Sequence, residues 1–198
     1  MKVIGITGGI GSGKSAVLSK ISEIYNCRII LSDDAAKYLE EKGQPCYEPL
    51  VSLLGEKVLD SEGNIDKKEM ARVIFSDENL LNKVNDIVHP KVLDYLASEI
   101  AQEKIDGKID YLFLEAALLI DGFKKLVDEL WYVYATCEVR KERLRISRGY
   151  TDEKIESIMG KQVSEDVYKM NCDFVIDNSY DLEDSISLIK AHLAADRR

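Results

Sequence analysis

Residues 8–15 read Gly-Gly-Ile-Gly-Ser-Gly-Lys-Ser, a complete GxxxxGKS string. An apolar β-branched run, Val3, Ile4 and Ile6, precedes it, and the apolar residues Val17, Leu18, Ile21, Ile24 and Tyr25 recur at helical spacing after it. That strand, turn and helix context separates a phosphate-binding P-loop from a chance match. Glycines let the backbone curl and approach a polyphosphate without a Cβ in the way. Backbone N–H groups and the helix N-terminus then cradle the anion. In such a loop Lys14 reaches the β- and γ-phosphates, and the Ser15 hydroxyl takes a position on Mg²⁺.

Phosphoryl transfer needs more than a phosphate cradle, and two carboxylates stand where chemistry could use them. Asp33 lies just past a predicted strand, where it could orient an acceptor hydroxyl and accept its proton. The competing reading is that Asp33, with Ser32 and Asp34, only caps a helix. Glu115 ends the apolar run Tyr111–Leu114, where it could hold a Mg²⁺-bound water or stand as a solvated strand-end carboxylate. Residues 138–149 carry Arg140, Lys141, Arg143, Arg145 and Arg148 against Glu138 and Glu142, a local net charge of +3. Arg143 and Arg148 could come over a transferring phosphoryl group, because the planar guanidinium donates bidentately and stays charged. Arg140 and Lys141 read as a solvated helix face. The segment looks like a lid, which a kinase needs to keep water from the reaction.

The elements that must position these residues follow from hydrophobic pattern. Short apolar runs at Arg28–Leu31, Tyr111–Leu114, Leu130–Tyr134 and Phe174–Ile176 alternate with helical periodicities, the last of them Leu182, Ile186, Ile189 and Leu193. This predicts an α/β protein of P-loop NTPase type, with a parallel β-sheet core flanked by helices. Ligands of such sheets bind beyond the carboxyl ends of the strands. Between Tyr47 and Lys104 the pattern is helical, with segments around Tyr47–Leu54, Lys67–Phe75, Leu80–Ile87 and Pro90–Glu103 and a turn at Asp60-Ser61-Glu62-Gly63. The expected division is a core of residues 1–34, 108–137 and 170–198, a helical insertion at about 35–107, and a lid at about 138–169.

Composition narrows the function classes. The 198-residue chain carries 27 Lys and Arg against 36 Asp and Glu, a formal net charge of −9 and a poor match for nucleic acid. Cys27, Cys46, Cys137 and Cys172 lie far apart with no CxxC pair, so they read as reduced, mostly buried thiols of a cytoplasmic protein. No apolar run approaches the length of a spanning helix, and the expectation is no membrane partner. A guanine-specific switch needs an NKxD-type base reader after a strand, whereas Asn82-Lys83-Val84-Asn85 ends in Asn within a helical stretch. The open alternatives are a P-loop kinase of some nucleoside or nucleotide and a non-catalytic nucleotide-dependent switch.

Taken together, the motifs resemble the dephospho-coenzyme A kinases over nearly the whole length. The matching strings are GITGGIGSGKS at 5–15, SDDAAK at 32–37, Gly43, DSEGNIDKKEMARVIF at 60–75 and IVHP at 87–90. EAALLID at 115–121, RLRISRG at 143–149, Gln162 and CDFVIDN at 172–178 complete the set. The resemblance implies a P-loop core, a helical substrate-binding insertion and a lid. It implies transfer of the ATP γ-phosphoryl group to the ribose 3′-hydroxyl of dephospho-coenzyme A, the final step of coenzyme A synthesis, with ATP and Mg²⁺ required. By position, Gly11, Ser12, Gly13, Lys14, Ser15 and Ala16 correspond to the ATP-binding loop, Asp33 to the base, and Arg143 and Arg148 to lid phosphate contacts. His89 corresponds to a residue near the substrate; on its own it reads as a helix-start histidine. The sequence departs from the family's usual pattern at Leu31, Ala117 and Ile158, where Asp, Pro and Arg are common. A monomer or a small homo-oligomer is compatible with all of this.

Overall fold

The computed structural model describes residues 1–74, 77–116 and 122–196. The chain divides into two compact units, one of Met1–Ile30 with Gly107–Arg198 and one of Leu31–Asp106.

The first unit is built on a five-stranded parallel sheet. Its strands are β1 (Lys2–Thr7), β2 (Cys27–Leu31), β3 (Tyr111–Glu115), β4 (Glu129–Tyr134) and β5 (Phe174–Asp177), in the spatial order β2-β3-β1-β4-β5. The central strand β1 pairs Ile4 with Phe113 of β3 and Ile6 with Trp131 of β4. Every residue of β1 after Lys2 is buried, which is why it reads as a continuous apolar run rather than an alternating one. Helices α1 (Lys14–Ile24), α6 (Cys137–Arg148), α7 (Asp152–Gly160), α8 (Glu165–Asn171) and α9 (Leu182–Asp196) belong to this unit. Ile4, Ile6, Phe113 and Trp131 meet Ile21 of α1 and Ile189 of α9 in one core. The Phe113, Trp131 and Phe174 rings run edge to face across three strands, at 5.9 and 5.3 Å between centroids.

At the start of the sheet a polar knot closes this core. The Glu129 carboxylate accepts from Lys2 Nζ (2.7 Å) and Trp131 Nε1 (2.6 Å), and His192 Nε2 lies 2.9 Å away. Burial would raise its pKa, yet the donors from Lys2, Trp131 and His192 outweigh burial and hold it at about 2.

The second unit contains α2 (Ser32–Leu39), α3 (Tyr47–Leu54), α4 (Lys67–Ile74) and α5 (Glu78–Asp106). The two helices expected around Leu80–Ile87 and Pro90–Glu103 are one 29-residue helix with Pro90 inside it. Proline in a helix interior removes one backbone bond and costs about 3 kcal/mol. Val84, Val88, Val92, Leu96 and Ile100 form a buried row that continues across Pro90. At roughly 1.5–3 kcal/mol for each buried side chain, that row outweighs the break. His89 is therefore a mid-helix residue, half-buried, and not a helix start. The turn at Asp60 is local: its carboxylate accepts from the N–H groups of Glu62 and Asn64, both at 2.9 Å, and those backbone donors hold its pKa down. Of the thiols, Cys46 is buried while Cys27, Cys137 and Cys172 are half-buried, and all four are free. Phe75 and the stretch from Ala117 to Asp121, including the departure at Ala117, lie outside the described residues.

Candidate active site

The loop between β1 and α1 takes its shape from glycine. Gly11 and Gly13 adopt φ of +78° and +93°, a region closed to most L-residues. Their missing side chains also make room for neighbours. A Cβ on Gly11 would stand 2.8 Å from the Arg140 carbonyl oxygen, one on Gly9 would strike the Arg140 guanidinium, and one on Gly13 would strike the Asn178 amide. The first turn of α1 then presents Lys14, with Ser15 and Ala16 exposed beside it. Lys14 Nζ donates to the Gly8 carbonyl at 2.7 Å and lies 3.7 Å from Glu115 Oε1. Glu115, the last residue of β3, is mostly buried, with 14% of its side chain exposed.

Helix α6 closes over the loop from the other side. Thr136 caps it, accepting from the Val139 N–H, and Gly149 ends it in the left-handed conformation. Arg140, expected to be solvated, is buried: its Nε donates to the Ile10 carbonyl (2.8 Å) and its Nη2 to Gln162 Oε1 (2.6 Å). The Ile10 N–H donates to the same Gln162 oxygen at 3.2 Å. Arg143 donates through Nη1 to the Ser12 carbonyl (3.2 Å) and through Nη2 to the Asn178 carbonyl (2.8 Å). Asn178 Nδ2 also donates to Ser12 O at 2.8 Å, and Ser185 Oγ supports the amide at 3.0 Å.

Arg148 stands elsewhere. It is exposed at the end of α6, 6.0 Å from the centre of the Tyr150 ring, and with Lys154 it holds that phenol below its ordinary pKa. The helical period explains the separation. At about 100° per residue Arg148 is rotated roughly 140° from Arg143, whereas Arg140, Arg143 and the buried Leu144 share one face. That three- and four-residue spacing was the signal that could have marked Arg140. Asn178 closes the CDFVIDN string, whereas Ser185 carried no comparable local signal.

The other two expected residues belong to the second unit. Asp33 sits in the first turn of α2, just beyond the carboxyl end of β2, and is exposed. The helix has Leu31 at its cap position and no side-chain cap bond, so Asp33 does not cap it; the adjacent Asp34 pairs with Lys37 at 2.6 Å. His89 lies on α5. The structure thus gathers Lys14, Glu115 and Arg143 about the loop within one unit, while Asp33 and His89 are carried by the other.

A family model described as dephospho-CoA kinase matches residues 2–184. This chain belongs to the dephospho-CoA kinase family. A dephospho-CoA kinase of Aquifex aeolicus is 40% identical over 194 residues, covering 96% of this chain and 95% of that protein. One from Carboxydothermus hydrogenoformans is 34% identical over 185 residues, covering 92% and 88%. A crystal structure from Thermus thermophilus superposes with a TM-score of 0.79 at 31% identity, covering 98% of this chain and 97% of that one. The fold is also that of a Campylobacter jejuni dephospho-CoA kinase, with a TM-score of 0.72 at 16% identity and 98% of each chain covered. Among the described residues no helix is long and apolar enough to cross a membrane.

Proposed function

We propose that this chain transfers the γ-phosphoryl group of ATP to the ribose 3′-hydroxyl of dephospho-coenzyme A, giving ADP and coenzyme A. The observation that carries the reading is the glycine-shaped loop ending in Lys14 and Ser15, within a chain of this family. Residues Gly11 to Ala16 bind the ATP phosphates. Lys14 leaves the Gly8 carbonyl for the β- and γ-phosphates, since an ammonium exchanges a neutral carbonyl for anionic oxygens at a net gain. Asp33 orients the 3′-hydroxyl and takes its proton as the phosphorus–oxygen bond forms, and the bond to the ADP oxygen breaks. An exposed carboxylate outside any cap bond suits that task. Arg143 acts on the phosphates from beside the loop, Arg148 reaches them only by leaving Tyr150, and His89 lies near the substrate.

The donor set suits Mg²⁺. Among the described residues no group of three or more His, Cys, Asp or Glu converges, and a hard cation that keeps its waters needs only a hydroxyl, a carboxylate and nucleotide phosphates. Ser15 would hold it directly and Glu115 through a water. When bound, the ion would supply charge neutralisation of the nucleotide phosphates. The enzyme is read as cytoplasmic, a monomer or small homo-oligomer, with small-molecule substrates and no nucleic acid or membrane partner.

The test is incubation with ATP, Mg²⁺ and dephospho-coenzyme A, with coenzyme A followed by mass spectrometry. Coenzyme A is expected, and its absence alongside phosphorylation of a different nucleoside overturns the assignment. Lys14→Ala should abolish turnover in a folded protein. Asp33→Asn should slow transfer by roughly 10²- to 10⁴-fold with little change in ATP affinity. Unchanged transfer in Asp33→Asn removes that residue from the mechanism.

A further inference from the structure

The carbonyls of Gly8, Ile10 and Ser12 alternate along the loop, and each is taken by a side-chain donor: Lys14, then Arg140, then Arg143 with Asn178. In a trans peptide the C=O and the following N–H point in opposite directions, and no cis peptide occurs among the described residues. A donor that holds a carbonyl therefore aims the next N–H the other way. Arg140 sets the direction of the Gly11 N–H, and Arg143 with Asn178 sets that of Gly13. These are the amides that a phosphate nest uses.

The backbone of Ile10 is held on both sides, at its N–H and at its C=O. Arg140 grips its carbonyl, Gln162 accepts its N–H, and Arg140 and Gln162 bond each other, which closes a ring of three hydrogen bonds. Arg140 comes from the start of α6 and Gln162 from the connection between α7 and α8. Two separate parts of the 138–169 segment thus meet on one residue of the phosphate loop.

We propose that Arg140 and Gln162 are positioning residues that grip Ile10 by the peptide groups on its two sides and so clamp the Ile10–Gly11 peptide in its phosphate-binding orientation, so that docking of the α6–α8 segment and affinity for the ATP phosphates rise and fall together. The proposal rests on the reading of the loop as an ATP site. A loop with glycine at positions 8, 9, 11 and 13 has many conformations to lose when it binds an anion. Fixing it beforehand from outside removes that loss from the binding step. Neither side chain has to touch the nucleotide for this effect. Because both act through one ring, removing either opens it.

The test is calorimetric binding of ATP, with steady-state kinetics on the same proteins. Arg140→Ala is expected to weaken ATP binding by about tenfold and raise the KM for ATP correspondingly, while the KM for dephospho-coenzyme A stays within about twofold and kcat falls less than the affinity. Gln162→Leu should show the same split. The double variant should lose no more than about the larger single loss, because the two share one interaction. Arg140→Lys, which keeps the charge but lacks the rigid planar fork that meets both acceptors, should recover part of the affinity. Should Arg140→Ala fail to fold, Gln162→Leu carries the test from a half-buried position. Unchanged ATP affinity in a folded variant, additive losses in the double variant, or equal loss toward both substrates each overturn the clamp. A wild-type protein that binds ATP but yields no coenzyme A overturns the reaction assigned above instead, and leaves the clamp to be judged on ATP affinity.

Discussion

Substituting Gly13 by alanine adds one methyl group at the most crowded point of the phosphate loop. Two costs follow. A Cβ at φ +93° brings roughly 1–2 kcal/mol of steric strain. The same Cβ collides with Asn178 Nδ2, and moving that amide breaks its bond to Ser12 O and disturbs the Ser185 hydroxyl at 3.0 Å. Leaving a buried polar group unpaired costs about 1–3 kcal/mol. The sum is about 2–5 kcal/mol, and at roughly 2–4 °C per kcal/mol for a chain of this size it lowers Tm by about 4–20 °C. Gly149→Ala supplies the comparison within the same unit, since Gly149 has φ +60° and nothing within 4 Å of the added Cβ. That variant carries the strain alone, and its Tm should fall by roughly 2–8 °C. Differential scanning calorimetry of both variants decides the matter. If they melt within about 2 °C of each other, Asn178 yields without cost and the argument that it braces the loop is wrong.

Two further outcomes concern stability. The Glu129 carboxylate, held at about 2 against an ordinary 4.5, contributes stability that is complete above pH 4.5 and lost as pH falls toward 2. The difference corresponds to about 3 kcal/mol, so acid titration of Glu129→Gln should lack the steepest part of the wild-type loss, and parallel acid curves would exclude Glu129 as its source. Pro90→Ala restores a helical N–H and relieves the ring's clash with the preceding turn, and should raise Tm in thermal denaturation by a few degrees. A lower Tm would show that α5 depends on the proline.

Much of the site was legible because its requirements are local. Glycines at fixed offsets, a lysine and a serine at a helix start, and apolar runs of strand length each report a backbone conformation that neighbouring residues impose. The strands β1 to β5 and the last helix follow directly from such patterns. Asp33 was legible as a residue beyond a strand, and its alternative role as a cap was removed only when the helix start proved to lack any side-chain cap bond.

Other features waited on the tertiary structure because they join distant parts of the chain. The bond from Asn178 to Ser12 spans 166 residues, and those from Arg140 and Gln162 to Ile10 span 130 and 152. Pattern over a short window carries no record of such pairs. The arginines of residues 138–149 look equivalent in composition, yet burial against the loop takes Arg140 and Arg143, and helical rotation leaves Arg148 with Tyr150. Continuity of α5 through Pro90 was likewise a tertiary result, because a buried row of five apolar side chains outweighs one lost backbone bond. From sequence alone came the phosphate loop and the five strands in their order along the chain, since backbone preference acts between near neighbours. Which side chains hold that loop in shape was decided by packing, since only the folded chain brings them within hydrogen-bond reach.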